Sequence, residues 1–301
     1  LIHRALPAVL AAALAGCTLF VHKHAPTVAI PHYVVGQPYQ AAGLWRYPRQ
    51  SFDGDETGLA SVTARTTGFT ADGEVADPTA LAAAHPTLQL PAIARVTNLD
   101  TGLQVLVRVN DRGPEQRGRA IALTPRAVHL LGGDGQPALR VRVQVMEAES
   151  RRLAAELNGD DAPQLRVATA APGAVATETL APPPGAQQAP QAQAAPSAPA
   201  PAEKSAPETL IPLRLPEQVF QIPPRPGGLY VEAGTFGQLK YAEMLRRRLA
   251  QLGAQTSTSY DAPRDRAYRV RIGPLPSVAA ADAMLDRTIR AGIPDARIVA
   301  E

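Results

Sequence analysis

The sequence predicts two folded units of different class. One is a small, mainly-β closed barrel, and the other a C-terminal α+β unit of ferredoxin-like βαββαβ order. A disordered Ala/Pro-rich linker joins them. Three observations carry this division. Thirty prolines in 301 residues are about twice the usual share, and many crowd into one stretch. Before that stretch, short apolar runs alternate with period two. After it, short apolar runs alternate with two segments of helical period.

The chain opens on a basic pair, His3 and Arg4, followed by an apolar run from Ala5 to Ala13 and then Leu14-Ala15-Gly16-Cys17. That run is far shorter than the ~20 apolar residues a bilayer span needs, so residues 1–16 read as a cleavable signal peptide. Cys17 after Leu-Ala-Gly resembles the bacterial lipobox, in which the thiol is acylated. Cys17 is therefore the expected lipidation site, and Thr18 after it favours the outer membrane. Export counts against ATP-, NAD- and RNA-dependent functions. Cys17 is also the sole cysteine, which excludes a disulfide framework and a Cys-rich metal or cluster site. Residues 17–57 are the N-terminal tether and lead-in.

Residues 58–150 read as the barrel. Leu103, Val105, Val107 and Val109 alternate with Gln104, Leu106 and Arg108, the pattern of a half-buried strand. A strand over 93–99 precedes it across Asp100-Thr101-Gly102, a hairpin-type turn. Two more short strands follow over 119–123 and 141–146. Between them Thr124-Pro125 predicts a helix N-cap with proline in the first turn, ending at Gly132-Gly133. The Ala-rich run before His85 reads as a helical stub.

Residues 151–226 read as the linker. From 168 to 207, 24 of 40 residues are Ala or Pro and none is aromatic, so too little apolar surface is available to offset ordering. Recurrent proline excludes an Ala-rich helix. In polyproline geometry, about 70 residues could reach on the order of 200 Å.

In residues 227–301, strands are expected over 229–235, 254–260, 267–273 and 296–300. Leu239, Ala242, Leu245, Leu249 and Leu252 mark one helical face, closed by Gly253. Ser277 caps a second helix carrying Val278, Ala281, Leu285 and Ile289. Alternation turns Val270 and Ile272 inward, and Arg269 and Arg271 outward with Tyr230 and Glu232 onto an open sheet face. Such a face is either a ligand platform or an ordinary solvated surface. Net charge is only +3, with the tail mildly basic and the middle mildly acidic, too weak for nucleic acid to be the default partner.

No Walker loop, GxGxxG, GxSxG or HExxH is present, and His22-Lys23-His24 is too sparse for a zinc site. No metal and no cofactor is expected. Val109-Asn110-Asp111-Arg112-Gly113-Pro114 follows the best strand and reads as a turn taken alone. Upstream lie Thr70-Ala71-Asp72-Gly73-Glu74 and a lone His85.

Together these segments resemble the rare lipoprotein A family of endolytic peptidoglycan transglycosylases. Its double-psi β-barrel carries patterns like T-A-N-G-E, L-T-A-A-H-x-T-L-P, V-R-V-T-N-L and V-x-V-R-V-N-D-R-G-P. This chain has TADGE at 70–74, LAAAHPTLQLP at 81–91, ARVTNLDTG at 94–102 and VLVRVNDRGP at 105–114. The tail resembles the SPOR domain that the family commonly carries, through LYVEAGTF at 229–236 and YRVRIGPL at 268–275. The resemblance implies cleavage of the MurNAc–GlcNAc β-1,4 bond without water, leaving 1,6-anhydro-MurNAc ends. One group protonates the departing oxygen and then, as a base, deprotonates the sugar's own 6-hydroxyl, so no second carboxylate is required. By transfer, Asp111 is the leading acid/base, with Glu74 and His85 completing the catalytic set. Arg112 and Thr70 are candidate substrate-positioning groups. For the SPOR domain the resemblance implies binding to glycan strands stripped of stem peptides, with Tyr230, Glu232, Arg269 and Arg271 as candidate contacts. The implied setting is the periplasmic face of the envelope, lipid-anchored through Cys17 and enriched at the division septum, with septal cell-wall proteins as further partners.

The chain departs from the family at two places. Val62-Thr63 stand where the family has an aromatic pair, A-S-W-Y-G, and Ala122 stands where it has the Asp of I-D-L-S. These departures support the alternative, a non-catalytic lipid-anchored peptidoglycan-binding protein with a degenerate barrel. An RNA-recognition module would rest on topology alone and lacks the aromatic strand such modules use.

Overall fold

The computed structural model describes residues 29–158, 214–259 and 267–301. Cys17 and the 168–207 stretch lie outside the described residues. In chain order the first unit contains β1 (Tyr39–Ala41), β2 (Leu44–Arg46), β3 (Asp55–Val62), β4 (Ala82–Ala84), β5 (Ala92–Asn98), β6 (Leu103–Asp111), β7 (Arg119–Leu123), α1 (Pro125–Leu130), β8 (Leu139–Val145), α2 (Glu147–Asn158) and β9 (Val219–Gln221). Strands β4-β7-β3-β8-β5-β6 form one sheet, and β6 pairs back onto β4, closing a six-stranded barrel. The pairs β3–β7 and β4–β6 are parallel and the others antiparallel.

Period-two alternation is what fills the barrel. Val105, Val107 and Val109 of β6 face Ala92, Ala94 and Val96 of β5 and Val141 and Val143 of β8 inside one buried cluster. Leu131, behind α1, closes an end of it. Thr124 occupies the N-cap position, but its hydroxyl donates to the carbonyl of Ala80 at 2.6 Å instead of capping the helix. It ties the lead-in of β4 to α1.

Three expectations are corrected here. Ala82–Ala84 is a strand, not the end of a helical stub. Pairing on both sides outweighs alanine's helix propensity, and its small side chains suit a fully buried position. The barrel's first strand begins at Asp55, ahead of the expected boundary at 58. The linker is shorter than 151–226 at both ends. Helix α2 continues to Asn158, burying Leu153 against Ile93. On the other side, residues 214–226 lie along the barrel as a strap. Leu215 joins the Ile93–Leu153 cluster, Arg214 meets Asp77 at 3.1 Å, and β9 pairs with β6.

The second unit contains β10 (Leu229–Phe236), α3 (Leu239–Arg248), β11 (Ala254–Ser259), β12 (Ala267–Leu275), α4 (Val278–Arg290) and β13 (Arg297–Ala300). The sheet order is β11-β12-β10-β13, all antiparallel, the ferredoxin-like arrangement that the sequence predicts. Ser277 caps α4 by accepting from the amide of Ala280 at 3.1 Å. Helix α3 stops at Arg248, and a 3-10 turn carries the chain to Gly253, whose φ of 76° explains the glycine.

The two units are in contact. Leu59 of β3 and Ala138 belong to the same buried cluster as Leu285, Ile298 and Ala300. Two glycines permit the approach. A Cβ on Gly58 would stand 3.3 Å from the Ile298 carbonyl oxygen, and one on Gly118 would stand 2.7 Å from Leu285 Cδ2 and 2.8 Å from Ile298 Cδ1. Arg119, its side chain almost fully buried, donates to both oxygens of Asp282 on α4 at 2.6 and 2.9 Å. The barrel thereby covers β13, an edge strand of the second sheet.

Candidate active site

Asp111 is the last residue of β6, and parallel pairing places it beside Ala84 at the barrel rim. It lines a cleft of about 230 Å³ with Val62, Thr63, Arg65, Ala84, Gly113 and Ala122. One carboxylate oxygen, Oδ1, accepts from the amides of Ala71 at 3.0 Å and Arg112 at 2.8 Å. The other, Oδ2, pairs with Nε of Arg65. Asp111 is itself nearly buried, whereas the Arg65 side chain is 47% exposed. The carboxylate is therefore held on one side by backbone amides and on the other by a half-exposed side chain, whose Nη1 also donates to the Phe69 carbonyl at 3.3 Å.

Glu74 has a different environment. Nε and Nη2 of Arg108 both reach its Oε1 at 2.6 Å, and Nδ2 of Asn110 donates to its Oε2 at 2.8 Å. Both charged side chains are buried, 7% exposed for Glu74 and 3% for Arg108. Strand alternation explains the grouping. Arg108 and Asn110 share one face of β6, and the 70–74 turn folds across it, with Asp72 N–H donating to the Asn110 carbonyl at 3.3 Å.

Within that turn Asp72 is fully buried. Its Oδ1 accepts from the Thr70 hydroxyl at 2.7 Å and from the Glu74 amide at 3.2 Å, while its Oδ2 has no partner. Burial, reinforced by the negative Glu74 carboxylate, pushes the Asp72 carboxyl up to about 7. The hydroxyl of Thr70 lies within the turn, also 3.1 Å from the Glu74 carbonyl.

His85 follows Ala84, and alternation turns its ring away from the Asp111 side. Nδ1 accepts from the amides of Thr87 at 3.2 Å and Leu88 at 3.1 Å, so Nε2 carries the proton and donates to Glu56 at 2.7 Å. Burial opposes the Glu56 charge. The hydrogen bond from His85 and the nearby positive charges of Arg297 and Arg49 outweigh it and hold that carboxyl below its ordinary value. His85 and Glu56 line a separate cavity between the two units, with Arg117, Arg119 and Arg297. Arg112 points inward too, donating to the carbonyls of Leu88 at 2.5 Å and Val35 at 2.6 Å.

The predicted residues thus fall into three places: Asp111 at the cleft with Thr70 lining a small pocket beside it, Glu74 behind the 70–74 turn, and His85 at the seam between the units. Arg65, Asp72 and Glu56 escaped the sequence reading as site residues. TADGE contains Asp72, so a carboxylate where the family pattern has Asn was visible there. Nothing in the local sequence signals the contacts of Arg65 and Glu56, which are set 46 and 29 residues apart from their partners. Among the described residues, no three His, Cys, Asp or Glu side chains cluster as metal ligands.

On the second unit, Arg269 and Arg271 both reach the Glu301 carboxylate, and Arg271 stands 5.9 Å from the Tyr230 ring centroid. Glu232 is not solvated as expected. It is buried under Arg297, which donates to its Oε1 at 2.8 Å, and Thr235 donates to the same oxygen at 3.2 Å.

Residues 56–143, the barrel, match the family model described as lytic transglycolase, and residues 226–299 match the SPOR domain. An endolytic peptidoglycan transglycosylase RlpA from Pseudomonas aeruginosa is 33% identical over 263 residues, 83% of this chain and 73% of that protein. The chain belongs to the RlpA family. RlpA proteins of Yersinia pestis and Escherichia coli K12 match more locally. They are 44% identical over 100 residues and 43% over 88, about a third of this chain and about a quarter of each relative. Both departures from the RlpA pattern, Val62-Thr63 and Ala122, line the cleft at Asp111.

Proposed function

We propose that the protein is a peptidoglycan lytic transglycosylase that cuts the MurNAc–GlcNAc β-1,4 bond and leaves 1,6-anhydro-MurNAc ends, with Asp111 as the single acid/base. The observation that carries this reading is the asymmetric hold on Asp111. Two amides anchor Oδ1, while Oδ2 meets only the half-exposed Arg65, the partner an incoming sugar can displace. With Arg65 turned out, a protonated Asp111 hands its proton to the glycosidic oxygen as the C1–O bond breaks. The same carboxylate then takes the proton of the 6-hydroxyl as O6 bonds to C1, and Asp111 returns to its starting state. The nucleophile belongs to the substrate, so neither a second carboxylate nor a positioned water is needed.

In this reading Glu74 acts through structure. Its ion pair with Arg108 and hydrogen bond to Asn110 brace the strand that ends in Asp111. Thr70 secures the turn whose Ala71 amide binds Asp111. Arg112 and His85 anchor the 85–88 segment from its two ends. The SPOR domain would take glycan strands lacking stem peptides through Tyr230, Arg269 and Arg271, bringing the enzyme to the division septum. Cys17 would carry the lipid that holds the chain at the periplasmic face of the outer membrane.

The loss of the aromatic pair at Val62-Thr63 and of the acid at Ala122 favours a second reading, a glycan-binding protein with an inactive barrel. One experiment separates them. The full chain in detergent, wild-type and Asp111→Asn, is incubated with intact and amidase-stripped peptidoglycan, and released sugars are examined by mass spectrometry. Anhydro ends from wild type and none from Asp111→Asn are the expected result. Reducing ends would mean a hydrolase. No products, with the chain still pelleting on stripped glycan, would leave the binding protein.

A further inference from the structure

The seam between the barrel and the SPOR domain encloses a trough of about 690 Å³, large enough for an extended ligand. One wall is the SPOR sheet, with Glu232, Arg297 and Glu301. The other is the barrel, with Asp55 and Arg142, and Arg225 of the strap also lines it. The seam is held away from the trough by Arg119–Asp282 and by the packing at Gly118, and the strap enters the SPOR domain already bound to the barrel. The domains therefore present both walls together rather than swinging on a tether.

The lining identifies the kind of ligand. Four guanidiniums stand among five carboxylates, so the trough holds cationic donors able to pair the lactyl carboxylate of each stripped MurNAc. Its near-zero net charge gives no general attraction for a densely charged polyanion such as nucleic acid. Most lining side chains are charged, with Leu99, Val299 and Ala300 the apolar exceptions, which suits a polar polymer better than an acyl chain. Several of the charges sit in guanidinium–carboxylate pairs, Asp55 with Arg142 on the barrel side and Glu232 with Arg297 on the SPOR side. Such pairs offer planar arrays of donors and acceptors, the complement of the hydroxyls and amides of an amino-sugar polymer.

We infer that this trough is one glycan-binding groove shared by both domains, in which Asp55 and Arg142 of the barrel contact the same strand as the SPOR sheet. The inference rests on the glycan reading of the SPOR domain proposed above. It makes the two domains a single body on the strand, with Asp111 at a set separation from the groove, since β3 runs from Asp55 at the trough to Val62 at the cleft.

The test is pelleting of the full chain in detergent on amidase-stripped glycan, as a binding curve. Asp55→Ala/Arg142→Ala removes a half-exposed pair on the barrel alone and should leave the fold intact. Binding about tenfold weaker than wild type, with an unchanged unfolding midpoint, is expected. Arg119→Met/Asp282→Ala touches no trough residue and loosens the seam, and it too should weaken pelleting. Wild-type binding retained by Asp55→Ala/Arg142→Ala would overturn the shared groove while leaving the SPOR reading standing. So would wild-type binding by a seam variant whose domains are seen to separate in solution scattering. A wild-type chain that does not pellet would overturn both readings together.

Discussion

Asp111 and Glu74 are both buried carboxylates paired with an arginine near the same end of β6, yet they are held in opposite ways. Glu74 is held by a buried guanidinium and an amide, and each would lose its side-chain partner without it. Asp111 leans on backbone amides that cannot leave and on an arginine that can. An ion pair buried on both sides is committed to the fold. One whose cationic half reaches water can exchange that half for a ligand. The difference lies in the partners, since the carboxylates themselves are about equally buried.

The comparison breaks first on activity. Asp111→Asn should lower release of anhydro products by about 10²–10⁴-fold with little change in unfolding, the range general acid–base catalysis supplies. A comparable loss from Glu74→Gln with stability retained would give the proton-transfer role to Glu74 instead. On stability the roles reverse. Glu74→Ala strands a buried Arg108 and should cost about 3–5 kcal/mol in urea unfolding.

Asp72 sharpens the contrast through pH. Its folded-state carboxyl lies at about 7 against an ordinary 3.8, so between those values the folded chain keeps a proton that the unfolded chain has released. Its contribution to stability is thus full at low pH, falls as pH rises from about 4 to about 7, and levels off above. Asp72→Asn, which restores the residue of the family pattern, should remove that slope and stabilise the chain at pH 7.5, on the order of a few kcal/mol. Urea midpoints of the two proteins at several pH values check this by their difference. The smallest effect belongs to Arg65→Ala. With that side chain nearly half exposed, unfolding should change by no more than about 1 kcal/mol. A larger loss would put Arg65 in the same class as Arg108 and remove the asymmetry.

Much of the architecture was legible from local pattern. Alternation along 103–109 yields β6, and Ser277 yields the start of α4, because each depends on neighbours within a few residues. The βαββαβ order follows for the same reason. The motif around Asp111 was legible only as a combination, since Asn-Asp-x-Gly-Pro alone is a turn. Other features resisted reading. Ala82–Ala84 has helical propensity and becomes a strand because β6 and β7 flank it. Proline-rich residues 214–226 read as linker and instead lie on the barrel, through contacts with Asp77, Arg126, Leu99 and Gly102.

Composition and periodicity were enough for two units and their classes, because hydrophobic pattern and turn chemistry act over a few residues at a time, whereas the candidate catalytic residues came from the resemblance to a family. Which arginine meets Asp111, which way the His85 ring faces, and that the SPOR domain rests on the barrel were decided only in three dimensions. Each depends on groups tens to more than a hundred residues apart, Arg119 and Asp282 among them, 163 positions from one another. Barrel closure and the packing of the two units bring such groups together, and no stretch of local sequence carries that long-range packing.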